Sequence, residues 1–126
     1  MTANMVEVFE KLEVQISDLY KEMSALSKKS PNEKINKFKL GFVNQLLSVS
    51  NGLLKENFKP LDNFDLFDED DVPSNSDVVM VISQYISCLQ KFKYDNVKQQ
   101  KGGVWYWQVN DDDPIRTSRP EMKFTF

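Results

Sequence analysis

Apolar positions recur in three long stretches at alternating steps of four and three, the spacing that keeps one side of a helix facing a partner. In the first stretch Met5, Phe9, Leu12, Ile16, Leu19, Met23 and Leu26 form an unbroken seam, which predicts a helix over about 4–27. Glu7, Glu10, Glu13, Asp18, Lys21 and Glu22 lie off that seam and read as a charged outer face. Asn4 with Glu7 resembles a capping box, and Lys28-Lys29 closes the helix. The seam suits a bundle helix or, more sharply, a self-associating coiled coil.

The second stretch carries Ile35, Phe38, Phe42, Leu46, Val49 and Leu53 along one side, flanked by Val43, Leu47 and Leu54, and predicts a helix over about 31–57. Ser30 reads as its N-cap, Pro31 as its first residue and Glu33 as the other half of a capping box. Gly41 and Gly52 each cost about 1 kcal/mol against alanine in a helix interior, so close helix contacts are expected there. Lys59-Pro60 stops the helix.

In the third stretch Val78, Ile82, Tyr85, Leu89 and Phe92 keep the same rhythm, widened by Val79, Val81, Ile86 and Cys88. This predicts a central helix over about 75–101. Ser74 or Ser76 caps it, Asp77 sits at the positive end of its dipole, and Lys98, Lys101 and Gly102-Gly103 mark its end.

Two segments break the rhythm. From Phe58 to Pro73, Asp62, Asp65, Asp68, Glu69, Asp70 and Asp71 are interleaved with Leu61, Phe64, Leu66, Phe67 and Val72. The carboxylates read as solvated and the apolar residues as pins that hold an ordered crossover to the bundle. After Gly103, Val104-Trp105-Tyr106-Trp107-Gln108-Val109 is strand-like, Asn110 to Pro114 makes a turn, and either Ile115-Arg116-Thr117 or Met122 to Phe126 supplies a returning strand. An isolated hairpin is marginal in water, so Trp105 and Trp107 must pack on the bundle or anchor a partner or dimer mate. The expected fold is a single domain over 1–126, mainly α. It is a three-helix antiparallel bundle with an acidic crossover loop and a short C-terminal β-hairpin-like appendage over 104–126.

Composition narrows the function. The chain has 126 residues, enough to bury a core without metals or disulfides, and its formal charge of -3 does not call for a polyanion partner. The one cysteine, Cys88, falls among apolar residues of the central helix and reads as a buried, unreactive thiol in a reducing compartment. No apolar run approaches the roughly 20 residues of a bilayer span, and the acidic first helix is unlike a secretory signal, so a cytoplasmic protein with no membrane partner is expected. Histidine is absent, which removes Ser-His-Asp and Cys-His catalysis and histidine metal sites.

Two acidic patterns invite a chemical reading. Asp62, Asp65, Asp68 and Asp71 recur every third residue, but the stretch lacks the central glycine of an EF-hand loop. Glu7, Glu10 and Glu13 have a spacing at which all-α nucleotide pyrophosphohydrolases place Mg²⁺-holding glutamates. The second acidic pair such enzymes need is missing, because the central helix has only Asp77 and Asp95 near its ends. Lys28, Lys29, Lys34, Lys37 and Lys39 crowd the first corner and Lys91, Lys93, Lys98 and Lys101 the end of the third helix. An up-down-up bundle would gather both groups at one pole and the acidic crossover at the other.

The residue types that dominate interface energies are concentrated in the tail: Trp105, Tyr106, Trp107, Arg116 and Arg119. The leading expectation is a small non-enzymatic protein, an adaptor or an immunity, antitoxin or phage-type inhibitor. It would bind another protein through that tail and through Asp68, Glu69, Asp70 and Asp71 of the acidic loop. Homodimerisation is compatible with it, while cofactors, metals and nucleic acid are not expected. The alternatives are a Mg²⁺-dependent nucleotide hydrolase using Glu7, Glu10 and the crossover aspartates, and a nucleic-acid-associated protein.

Overall fold

The computed structural model describes residues 1–110 and 113–121. Helix α1 (Ala3–Lys29) is capped by Thr2, whose side chain accepts from the Met5 amide at 3.1 Å, so the cap lies before the expected Asn4. Phe9, Leu12, Ile16, Leu19 and Met23 are buried as the seam predicts, joined by Val6. That burial is within the chain's own bundle, which leaves little of the seam for a coiled coil with a second copy.

Helix α2 (Lys37–Phe58) starts later than expected. Asn36 is its cap, with its side-chain oxygen accepting from the amides of Phe38 and Lys39. The Ser30–Glu33 stretch serves the neighbouring helix instead. The carbonyls of Glu33 and Pro31 accept from the amides of Asn75 and Ser76, and the Ser30 carbonyl accepts from the Asn75 side chain. Those carbonyls satisfy the orphan amides at the start of α3 rather than opening a helix of their own.

The buried face of α2 is also rotated from the expected one. Leu40, Val43, Leu47 and Leu54 are at its centre with Leu46 and Leu53 beside them, whereas Phe38 is 86% exposed and Val49 lies at the surface. The expected seam starts from Ile35, which is buried but precedes the helix, so continuing it at helical spacing through Phe38 lands about one position off the observed face. Nor do the glycines mark close contacts: a Cβ at Gly52 would meet nothing within 4 Å, and one at Gly41 would only reach Glu69 at 3.9 Å. The last turn of α2 breaks at Lys55, where φ is 56°.

Helix α3 (Asn75–Asn96) is capped by Ser74, which accepts from the Asp77 amide, and buries Val78, Ile82, Tyr85, Leu89 and Phe92 as expected. It ends earlier than the sequence suggests and passes straight into strand β1 (Val97–Gln99). Gly102 and Gly103, at φ 94° and 84°, form the turn into β2 (Trp105–Trp107) instead of capping the helix. Strand β3 (Ile115–Thr117) completes an antiparallel sheet of order β1-β2-β3. The return strand is therefore the Ile115-Arg116-Thr117 option, and the Met122–Phe126 alternative lies outside the described residues.

Helix α1 packs antiparallel to both partners, but α2 and α3 run parallel. Phe58 and Phe92 meet at 6.4 Å between ring centroids, and the Tyr85 hydroxyl donates to Asn51 at 2.6 Å. At the opposite pole the Ile35 amide donates to the Pro73 carbonyl at 2.9 Å. The crossover thus travels the length of the bundle. This overturns the up-down-up charge layout: the two lysine groups sit at opposite poles, and the acidic crossover leads back to the first corner, where Lys34 donates to the Val72 carbonyl.

One hydrophobic cluster joins residues of all three helices with Val97 and Trp107 of the sheet. The protein is mainly α with a hairpin-like sheet appended at its C-terminal side. Among the described residues no helix is long and apolar enough to cross a membrane.

Candidate functional site

The C-terminal aromatics divide between core and surface. Trp107 is completely buried, edge-on to Phe9 at 5.0 Å between centroids, and its indole N–H donates to Glu10 at 2.8 Å. It holds the sheet to α1 and is not available as a partner anchor. Trp105 is half-buried against the same cluster, sharing a face with Trp107 as strand alternation requires. Tyr106 points the other way, between Lys98 and Arg116 in the strand register. Arg116 and Arg119 are exposed.

Glu10 and Glu13, expected on a charged outer face, turn inward. Glu10 accepts from the Trp107 indole and, at 2.9 Å, from the Thr117 hydroxyl. Glu13 accepts from the Gln90 amide at 2.7 Å and pairs with Lys93 at 3.2 Å. Lys93, assigned from the sequence to a basic pole, is 0% exposed. Its ammonium also donates to the Ser118 hydroxyl at 2.9 Å and lies 5.8 Å from the centroid of the Trp107 ring. Gln90 then accepts from the Glu121 amide at 2.8 Å. These bonds tie α1, α3 and the segment after β3 together, and they occupy two of the three glutamates offered to Mg²⁺. Glu7 remains exposed. No group of three or more carboxylate or thiol ligands converges among the described residues.

The polar groups that sequence reasoning missed are those that fix the crossover. Asn44 donates to the Phe67 carbonyl and accepts from the Phe67 amide, both at 3.0 Å. Asn51 donates to the Asp65 carbonyl at 2.9 Å while accepting from Tyr85. Lys59 pairs with Asp65, and the hydrogen bond that its ammonium donates to that carboxylate is the main reason it is held above its ordinary range. Phe64 and Phe67 stack edge-to-face at 5.1 Å. The backbone is thereby held to α2, yet Asp68, Glu69, Asp70 and Asp71 are all exposed. None of the four enters an ion pair among the described residues. The Asp68 side chain instead accepts from the Asp70 amide at 2.9 Å, an Asx turn that shapes the acidic tip.

Cys88 is half-buried, and burial raises its thiol above the ordinary range. Among the described residues nothing activates a thiolate there.

Compared with family models, curated proteins and solved structures, the chain shows no match.

Proposed function

We propose that the protein is a non-enzymatic interaction protein, an adaptor or an inhibitor of the immunity, antitoxin or phage type. It docks a basic surface of another protein through the acidic tip at Asp68, Glu69, Asp70 and Asp71. One observation carries this reading: Asn44 and Asn51 pin the crossover backbone while these four carboxylates stay exposed and unpaired among the described residues. A charged loop already ordered before binding avoids the entropic cost of ordering it, and unpaired like charges steer a complementary partner. Lys34 donates to the Val72 carbonyl and Lys39 pairs with Glu22, and neither forms an ion pair with the tip. Leu66, also exposed, supplies an apolar contact beside it. The catalytic alternative is disfavoured because Glu10 and Glu13 are spent on structural bonds. A reducing, cytoplasmic setting suits a chain whose one thiol has no intrachain partner.

The test is affinity capture from the native host with the wild type beside a variant carrying Asp68→Asn, Glu69→Gln, Asp70→Asn and Asp71→Asn. A stoichiometric partner with a basic contact surface should be retained by the wild type, released by salt, and lost in the variant. Capture unaffected by neutralisation would remove the tip from the proposal. Phosphate or pyrophosphate release from a nucleotide panel with Mg²⁺ would restore the hydrolase.

A further inference from the structure

Burial on the inner face of the sheet fades along the strands: Val97 and Trp107 are buried, Trp105 is half-buried and Gln99 is exposed. Two hollows meet at Trp105 and Arg119, which line both. One, of about 620 Å³, is also lined by Tyr94, Ser118, Pro120 and Glu121. The other, of about 530 Å³, is also lined by Gln99, Thr117, Arg116 and the Gly102-Gly103 turn, and among the described residues no carboxylate lines it. Unlike that of Trp107, the Trp105 indole N–H has no hydrogen-bond partner among the described residues, and it is not sealed from solvent. Tyr94 is 49% exposed, and its hydroxyl is likewise without a partner among the described residues. Arg119 is exposed and enters no ion pair there.

We propose that this groove binds a proline-rich peptide bearing carboxylates, with its prolyl rings against Tyr94 and Trp105 and an acidic side chain on Arg119. A polyproline helix makes no internal hydrogen bonds, so its carbonyls are open to donors such as the Trp105 N–H and the Tyr94 O–H. Tyrosine and tryptophan present an apolar ring and a polar tip to the same ligand. Beyond Trp105 the hollow without carboxylates suits an acidic residue, whose two oxygens a guanidinium takes together. A nucleic-acid strand fits less well, since Glu121 puts a negative charge beside the aromatic hollow, where the phosphate next to a stacked base would lie. Tyr94 belongs to the last turn of α3 and the acidic tip precedes its first, so the groove and the tip occupy opposite poles. An adaptor built this way holds two partners without a clash between them.

Fluorescence anisotropy of the full chain at 50 mM NaCl, with labelled peptides of five prolines and two aspartates (the aspartates at either end), tests this. Saturable binding of at least one of the two is expected. Alanines in place of the prolines should weaken it at least tenfold. Tyr94→Ala should weaken it about tenfold, as for an aromatic anchor, and Trp105→Phe, which keeps a ring and loses the N–H, about fivefold. Arg119→Glu should weaken the aspartate peptide at least tenfold and prefer a peptide with lysines in place of the aspartates. No saturable binding of either peptide, equal binding of the alanine peptide, indifference to Tyr94→Ala, or tighter binding of oligo(dT) than of the peptides would each overturn the proposal. Circular dichroism of each variant checks the fold. If Trp105→Phe fails to fold, Tyr94→Ala and Arg119→Glu decide, since both side chains are exposed. The variant neutralised at the acidic tip should bind the peptides like the wild type, so failure here and failure of the docking reading are separable.

Discussion

Lys93 shows how one side chain changes meaning between sequence and structure. By type it belongs to a basic patch, yet it falls one heptad after Ile86 and two after Val79, on a stripe both of which pack against the core. Glu13 stands in the same relation to Val6 on α1. Position could therefore have placed both inside, while residue type argued for outside. Burying a charge is tolerated only with a partner, and removing one member of such a pair costs about 3–5 kcal/mol because the other is left uncompensated. Lys93→Ala should therefore lose about that much by urea unfolding, and Lys93→Met with Glu13→Leu should lose clearly less. A double-variant loss equal to the sum of the separate Lys93→Met and Glu13→Leu losses would mean the pair is uncoupled. Titration adds a second expectation at this scale. Burial is the main reason that Tyr85 is raised above its ordinary 10.0, and burial raises Cys88 above its ordinary 9.0. Both groups hold their protons more tightly folded than unfolded, so the stability they contribute is complete below those values and is lost as pH rises through them. Unfolding free energy measured from pH 8 to 10.5 should fall, and Cys88→Ala should make the first part of the fall shallower. An unchanged profile in that variant would show the thiol to be solvated.

At the level of elements, regular seams were legible and their edges were not. The α1 and α3 seams are the observed buried faces, because each runs uninterrupted against two neighbours. The α2 face was misread by about one position because its start was set by the Ser30-Pro31 signal. That signal is chemically sound but locally outcompeted: the carbonyls it would have turned into a helix are taken by the amides of α3. A consequence follows for capping. Asn36→Ala should cost about 1 kcal/mol, the usual loss when a capping side chain is removed, and Ser30→Ala far less, since the bonds Ser30 makes run through its backbone, which alanine keeps. Chemical denaturation of the two variants side by side decides it, and a larger loss at Ser30 would return the helix start to Pro31. The early end of α3 had a signal too. Val97 begins a segment that pairs with Trp105 to Trp107, and the glycine pair read as a helix cap is equally a hairpin turn. Only the partner strand distinguishes them.

The whole molecule turns on the crossover and the sheet. A 22-residue helix such as α2 is about 33 Å long at 1.5 Å per residue, a distance that about ten extended residues can cover. The connection over 59–74 is long enough to go back along the bundle, so helix lengths alone left the direction of α3 open. What settles it is side-chain chemistry spaced along α2, with Asn51 and then Asn44 taking successive crossover backbone groups. The sheet is similarly bound in, by Trp107 between Phe9 and Lys93 and by the Asn110 amide on the Met1 carbonyl. A three-stranded sheet this short has no stability of its own, so it should unfold only when the helices do. Both tryptophans of the chain lie in β2, which makes their emission a report on the sheet, while ellipticity at 222 nm reports on the helices. The two signals should give one coincident urea transition. Trp107→Ala should shift the helical transition by about 3–5 kcal/mol, the loss for a fully buried large aromatic. A fluorescence change that precedes the loss of helix would instead make the sheet a separable appendage, and Glu10, held by Trp107 and Thr117, would then be free to rotate into solvent.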